Sequence, residues 1–132
     1  MNKTVLRDRY LNDAVTTVSP AKLVTMLYDR LARDLATAQH ALVTGSFDIA
    51  SAQLLHAQEI VMELRSGLDP NAWEGGPGLA SLYAFLLTEL ISANIKKDAA
   101  KVGECRRLVD PLRDAWHQAL AHLNSQEWPA GT

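Results

Sequence analysis

The apolar positions recur every three or four residues in four long stretches, and the stretch from Leu79 to Ile95 differs from the rest. Twelve of its seventeen residues are apolar, and its one charge is Glu89. Leu79, Tyr83, Leu86, Leu90 and Ala93 form one line at helical spacing. Ala80, Ala84, Leu87, Ile91 and Ile95 form a second line on a different face. A helix that borders a single core needs one apolar stripe. Two stripes leave two readings: a central helix buried on several sides, which the pattern by itself favours, or a helix with one face in its own core and another offered to a partner helix. The stretch is short, and Ser81, Thr88, Glu89, Ser92 and Asn94 interrupt it, which argues against a bilayer span.

The other stretches read as three more helices. Ser19-Pro20 is a start signal: Ser accepts from free amides, and Pro suits the first helical position because its missing N–H costs nothing there. The helix runs to about Val43 on the line Val24, Tyr28, Leu31, Leu35, Ala38 and Leu42, and Gly45 ends it. Ser46 is expected to cap the second helix, which carries Ala50, Leu54, Ala57, Val61 and Leu64 and closes at Gly67. Leu55, Ile60 and Met62 lie off that line. Leu68 to Gly78, with two Pro and three Gly, reads as a loop whose Trp73 folds back over an apolar surface, with exposure for binding as the lesser reading. Lys96 and Lys97 suit the negative end of the third helix. Asp98 caps a fourth with the line Val102, Cys105, Val109, Leu112, Trp116, Ala119 and Leu123. The line keeps its phase across Pro111, which predicts a kink there rather than a new helix.

Short connections and one moderate loop make consecutive helices antiparallel neighbours, so the fold class is all-α, an up-down-up-down four-helix bundle. The domain plan is an arm at residues 1–18, a bundle at 19–124 and a loose tail at 125–132. The arm has a thin apolar line, too short and polar to be stable by itself.

Composition narrows the function. At 132 residues one domain is expected, long enough for a core without metal or disulfide support. A net charge of −2 offers no clustered Lys and Arg surface for nucleic acid. One cysteine and no apolar leader near the N-terminus predict a cytoplasmic, reducing setting. A di-metal bundle would want Glu-x-x-His on two helices, and none of His40, His56, His117 or His122 has Glu three residues before it. Cys105 lies on a core line and reads as a small buried hydrophobe. Gly75-Gly76-Pro77-Gly78 has neither the strand nor the Lys of a phosphate loop. His56 stands mid-helix but has no Lys neighbour for phosphotransfer. These absences predict no enzyme activity, no cofactor and no metal.

Four segments together resemble the flagellin export chaperones of the FliS family. The family's opening pattern, V-x-T-A-S-P-x-x-L-x-x-M-L-Y-D-G, is matched by Val15, Thr17, Ser19, Pro20, Leu23, Met26, Leu27, Tyr28 and Asp29; Val18 and Arg30 depart from it. A-x-x-I-x-x-E-L is matched by Ala57, Ile60, Glu63 and Leu64. L-x-x-L-Y followed by L-x-x-A-N is matched by Leu79, Leu82, Tyr83, Leu90, Ala93 and Asn94. Leu112 to Trp116, LRDAW, closes the series. Pro111 and the Pro/Gly-rich loop are departures. No single piece is specific; their order and spacing across residues 10 to 116 are.

The resemblance implies a cytoplasmic chaperone that binds the disordered C-terminal segment of flagellin, blocks premature polymerisation and delivers it to the flagellar type III export apparatus, meeting the export gate when loaded. It implies no nucleic acid, no membrane insertion, and a monomer or weak homodimer. Such a client needs long apolar grooves on a rigid scaffold. The second face of the third helix, flanked by the off-line residues of the second, would supply one. Tyr10, Leu11, Ile60, Leu87, Ile91 and Ile95 are the expected contacts, with the arm around Tyr10 and Leu11 as a displaceable cover. Tyr28 and Trp116 are expected in the core, Asn94 on backbone groups at the end of its helix, and Asp29 in a local cap or pair. The alternatives are a generic helical adaptor for another amphipathic segment, and a bundle that buries the extra face against a second copy.

Overall fold

The computed structural model describes residues 19–127. It contains α1 Pro20–Thr44, α2 Phe47–Ser66, α3 Gly76–Lys96 and α4 Ala99–Glu127, and no strand among the described residues. Each helix packs on the next, and α4 closes the ring on α1. Cross-helix pairs give the directions. Asp34 on α1 meets His56 on α2, Ser51 on α2 meets Asn94 on α3, Glu89 on α3 meets Lys101 on α4, and both Gln39–Arg106 and Asp29–Arg113 join α1 to α4. Every pairing runs antiparallel, which is the expected up-down-up-down bundle.

The helix ends follow local chemistry, with two exceptions. The Ser19 hydroxyl accepts from the Lys22 amide at 3.1 Å, Asp98 accepts from the Lys101 amide at 3.1 Å, and Gly45 takes the left-handed conformation (φ 80°) that a side chain would resist. Ser46 precedes α2, but its side chain makes no capping bond. The long loop ends at Gly75 rather than Gly78. Pro77 sits in the first turn of α3, where its missing N–H is harmless. Gly76 lets that turn pass under the loop: a Cβ there would stand 2.2 Å from the Pro70 carbonyl oxygen. Trp73 folds back over Gly75 of its own loop and stays half exposed.

The helix α4 runs unbroken through Pro111 and reaches Glu127, past the end expected at residue 124. Pro111 faces solvent, so the Arg107 carbonyl that loses its helical donor is exposed to water instead. The arm and the last five residues of the tail lie outside the described residues.

The core takes the expected lines on α1 to α3 and on α4 as far as Trp116, with Tyr28, Leu31, Leu35, Leu54, Leu86, Leu90, Val102 and Val109 fully buried, whereas Ala119 and Leu123, expected on the same line, are exposed on the last turns of α4, at the end of the bundle where α1 begins. Burying each such aliphatic side chain is worth about 1.5–3 kcal/mol. Across the bundle the Tyr28 and Tyr83 hydroxyls share a 2.7 Å hydrogen bond. Trp116 is partly buried, packed on the core, with its ring 6.4 Å from that of Tyr28. Two buried polar residues carry no signal in the apolar pattern. Thr25 donates to the Lys22 carbonyl, and Asp34 accepts from Arg30 and His56.

Candidate functional site

The two lines on α3 have different fates. Leu79, Tyr83, Leu86, Leu90 and Ala93 are buried. On the second line Ala84 is exposed, Leu87 half-buried, Ile91 46 % exposed and Ile95 76 % exposed. The helix is therefore not buried on several sides, and its second apolar face is open. By length and apolar content α3 is the one helix among the described residues that could cross a membrane. Its inner line packs into the bundle core, and its Glu89 accepts a 3.0 Å bond from Lys101 on α4.

The open face continues onto α2. Asn94 donates to the Ser51 hydroxyl at 3.4 Å, and the antiparallel register this sets brings Leu55 across from Ile91 and Met62 across from Ala84. Leu55 and Met62 are half exposed. An apolar strip thus runs along the α2–α3 seam. Ile60 is not part of it. At 4 % exposure it is a core residue, because it stands three residues after Ala57 and four before Leu64 and so widens the buried stripe. Of the six residues expected at the site, Leu87, Ile91 and Ile95 share the strip, Ile60 does not, and Tyr10 and Leu11 lie outside the described residues.

A second apolar surface was not legible as such. A cleft of about 540 Å³ opens at the end of the bundle where α1 begins, between Leu23 and Leu27 on α1, Leu64 on α2, Leu79 and Tyr83 on α3 and Trp116 on α4. Pro20 and Glu63 also border it. Leu23 and Met26 on α1 are each 48 % exposed. The signal was present, since Leu23, Met26 and Leu27 exceed what one core line on α1 can absorb, but only packing shows that the bundle leaves space beside them.

The polar groups near these surfaces tie helices together. Asp29 accepts from Arg113 Nε at 2.7 Å and pairs with His117 Nε2 at 2.7 Å, both on α4, so it bridges helices rather than pairing locally. Burial opposes ionisation of Asp29, but the bonds and charges of His117 and Arg113 outweigh it and hold the carboxyl below its ordinary range. Asn94 bonds Ser51 and accepts from Lys97 Nζ, side chain to side chain, not the backbone groups expected. Burial pushes the Cys105 thiol up to about 11, which keeps it protonated and unreactive. No cluster of three His, Cys, Asp or Glu side chains able to hold a metal exists among the described residues.

The fold is that of a flagellar chaperone. A crystal structure described as a flagellar chaperone from bacteria matches with a TM-score of 0.72 over 92 % of this chain and 99 % of that one; at 18 % identity the likeness establishes architecture. The chain belongs to the FliS family: the family model described as Flagellar protein FliS matches residues 2–123. The flagellar secretion chaperone FliS of Bacillus subtilis strain 168 is 31 % identical over 111 residues, covering 84 % of this chain and 83 % of that protein. The FliS of Salmonella typhimurium strain LT2 is 29 % identical over 119 residues, covering 89 % and 88 %. The family is one of chaperones, not enzymes.

Proposed function

We propose that this protein is a cytoplasmic flagellar export chaperone whose client is the disordered C-terminal segment of flagellin, held as short amphipathic helices and delivered to the type III export apparatus. The observation that carries this reading is the open apolar line of α3, continued by Leu55 and Met62 on α2, in a chain of the FliS family. A folded monomer rarely leaves such a face exposed without a use for it. A segment that folds as it binds spends ordering entropy and recovers it over a long surface, which a strip and a separate cleft provide better than one pocket would. The loaded chaperone would meet the export gate through another face, and by itself it would be a monomer or weak homodimer. In this reading the arm around Tyr10 and Leu11 would cover the apolar groove and be displaced by the client. Its junction at Pro20 borders the cleft.

Calorimetric titration of the C-terminal segment of the host's flagellin into this protein tests the reading. Tight one-to-one binding with a large negative heat-capacity change is expected. No binding to the folded monomer would refute the flagellin client and leave the adaptor for another segment. Deleting residues 1–17 should change the measured affinity, and an unchanged affinity would remove the arm from the account.

A further inference from the structure

Tyr83 stands at the inner wall of the cleft at 2 % exposure, with Tyr28 fully buried behind it. Their hydroxyls share a 2.7 Å bond, and the Trp116 ring lies 6.4 Å from that of Tyr28. The two hydroxyls carry two donor hydrogens, and their mutual bond uses one of them. Whichever tyrosine donates to the other, one hydroxyl hydrogen is left over. Only Tyr83 borders the cleft, so an acceptor placed there is served when Tyr28 donates to Tyr83 and the free hydrogen stands on Tyr83. Burial raises both phenol pKa values, so the surplus donor persists across physiological pH.

We propose that the cleft is built for the C-terminal turn of an amphipathic helix of the client, one of whose free carbonyls accepts a hydrogen bond from Tyr83 while an apolar side chain fills the space among Leu27, Leu64 and Leu79. This rests on the client reading given above and specifies what part of the client the cleft reads. The last four carbonyls of a helix have no partner within it, so a helix end supplies acceptors beside apolar side chains. A purely apolar occupant would expel water and strand the Tyr83 hydrogen, which disfavours it. Glu63 at the border disfavours a carboxylate, so the acceptor is a neutral carbonyl.

The test uses the full chain and the C-terminal segment of the host's flagellin, with thermal unfolding run alongside. Tyr83→Phe keeps the ring and the shape of the cleft and removes the donor, so affinity should fall about threefold to tenfold. A set of segments, each with one backbone amide replaced by an ester, weakens one carbonyl acceptor at a time. One ester near a helix end should weaken binding to the unaltered protein and leave binding to Tyr83→Phe no weaker. Tyr28→Phe retains the Tyr83 hydroxyl and should retain that ester sensitivity. Binding of Tyr83→Phe at unchanged affinity, or equal losses from every ester in both proteins, overturns the inference while the flagellin reading stands. If the unaltered protein does not bind the segment at all, that reading fails and takes the inference with it.

Discussion

The seam between α1 and α4 and the seam between α2 and α3 join antiparallel helices of one bundle but are closed in opposite ways. Across α1–α4, Asp29 engages Arg113 and His117, Gln39 accepts from Arg106 at 2.8 Å, and Tyr28 lies against Trp116 beneath them. Across α2–α3 the side-chain hydrogen bond is Asn94 to Ser51, at 3.4 Å, and the shoulders are Leu55, Met62, Leu87 and Ile91. A seam edged with paired polar groups has most of its hydrogen-bonding demands met, the buried Arg106 Nε being the exception, and gains little from further contact. A seam edged with apolar side chains still exposes surface worth about 25 cal/mol for each Å² covered. The same ring of helices therefore has one finished side and one side with binding capacity left.

The largest expected effect separates the two lines of α3. Leu86 is fully buried, so Leu86→Ala should cost about 2–5 kcal/mol in urea unfolding. Ile91 is 46 % exposed, and Ile91→Ala should stay within about 1 kcal/mol of the unaltered protein. Equal losses would mean that the outer line is core and that the contrast between seams is false.

Binding should then show the reverse order. Ile91→Glu places a charge in the α2–α3 strip and should weaken the flagellin segment at least about tenfold, about 1.4 kcal/mol, by calorimetry. Arg107→Glu, a charge reversal on the exposed side of α4, should leave that affinity unchanged. If the α4 change weakens binding as much as the α3 change, the client does not distinguish the two sides.

The bundle was legible in the sequence because its core lines keep three-and-four spacing along the helices, on α4 across Pro111 as far as Trp116, with the proline on the solvent side; the continuation to Ala119 and Leu123 is exposed. The open face was half legible. Periodicity gave α3 two apolar lines, but which of them a neighbour covers depends on how the four helices pack, and no single helix encodes that. Ile60 was misplaced because the core stripe on α2 is broader than one line. The cleft beside Leu23 and Leu27 and the bridge from Asp29 to α4 involve residues more than fifty positions apart, which local pattern cannot join. Trp73 lies over the bare Gly75 of its own loop, a surface that the apolar pattern does not mark.

The smallest effects should come from the polar ties themselves, and their pH dependence sharpens the contrast. Asp29 and Arg113 are partly exposed, so Asp29→Asn should cost no more than about 1 kcal/mol at pH 7. The Asp29 carboxyl is held below its unfolded value of 3.8, so its contribution is present above that value and is lost as pH falls through the folded one. Stability curves of the unaltered protein and Asp29→Asn should therefore run apart near neutrality and converge on acidification below about pH 4. Salt should narrow the gap at neutral pH. Asn94→Ala, across the other seam, removes one long neutral bond and should cost only about 0.5 kcal/mol, with no change in that cost from pH 7 to pH 3. A gap for Asp29→Asn that persists undiminished in acid would show that Asp29 holds α4 by packing rather than charge, and the α1–α4 seam would then owe its closure to Tyr28 and Trp116 beneath it.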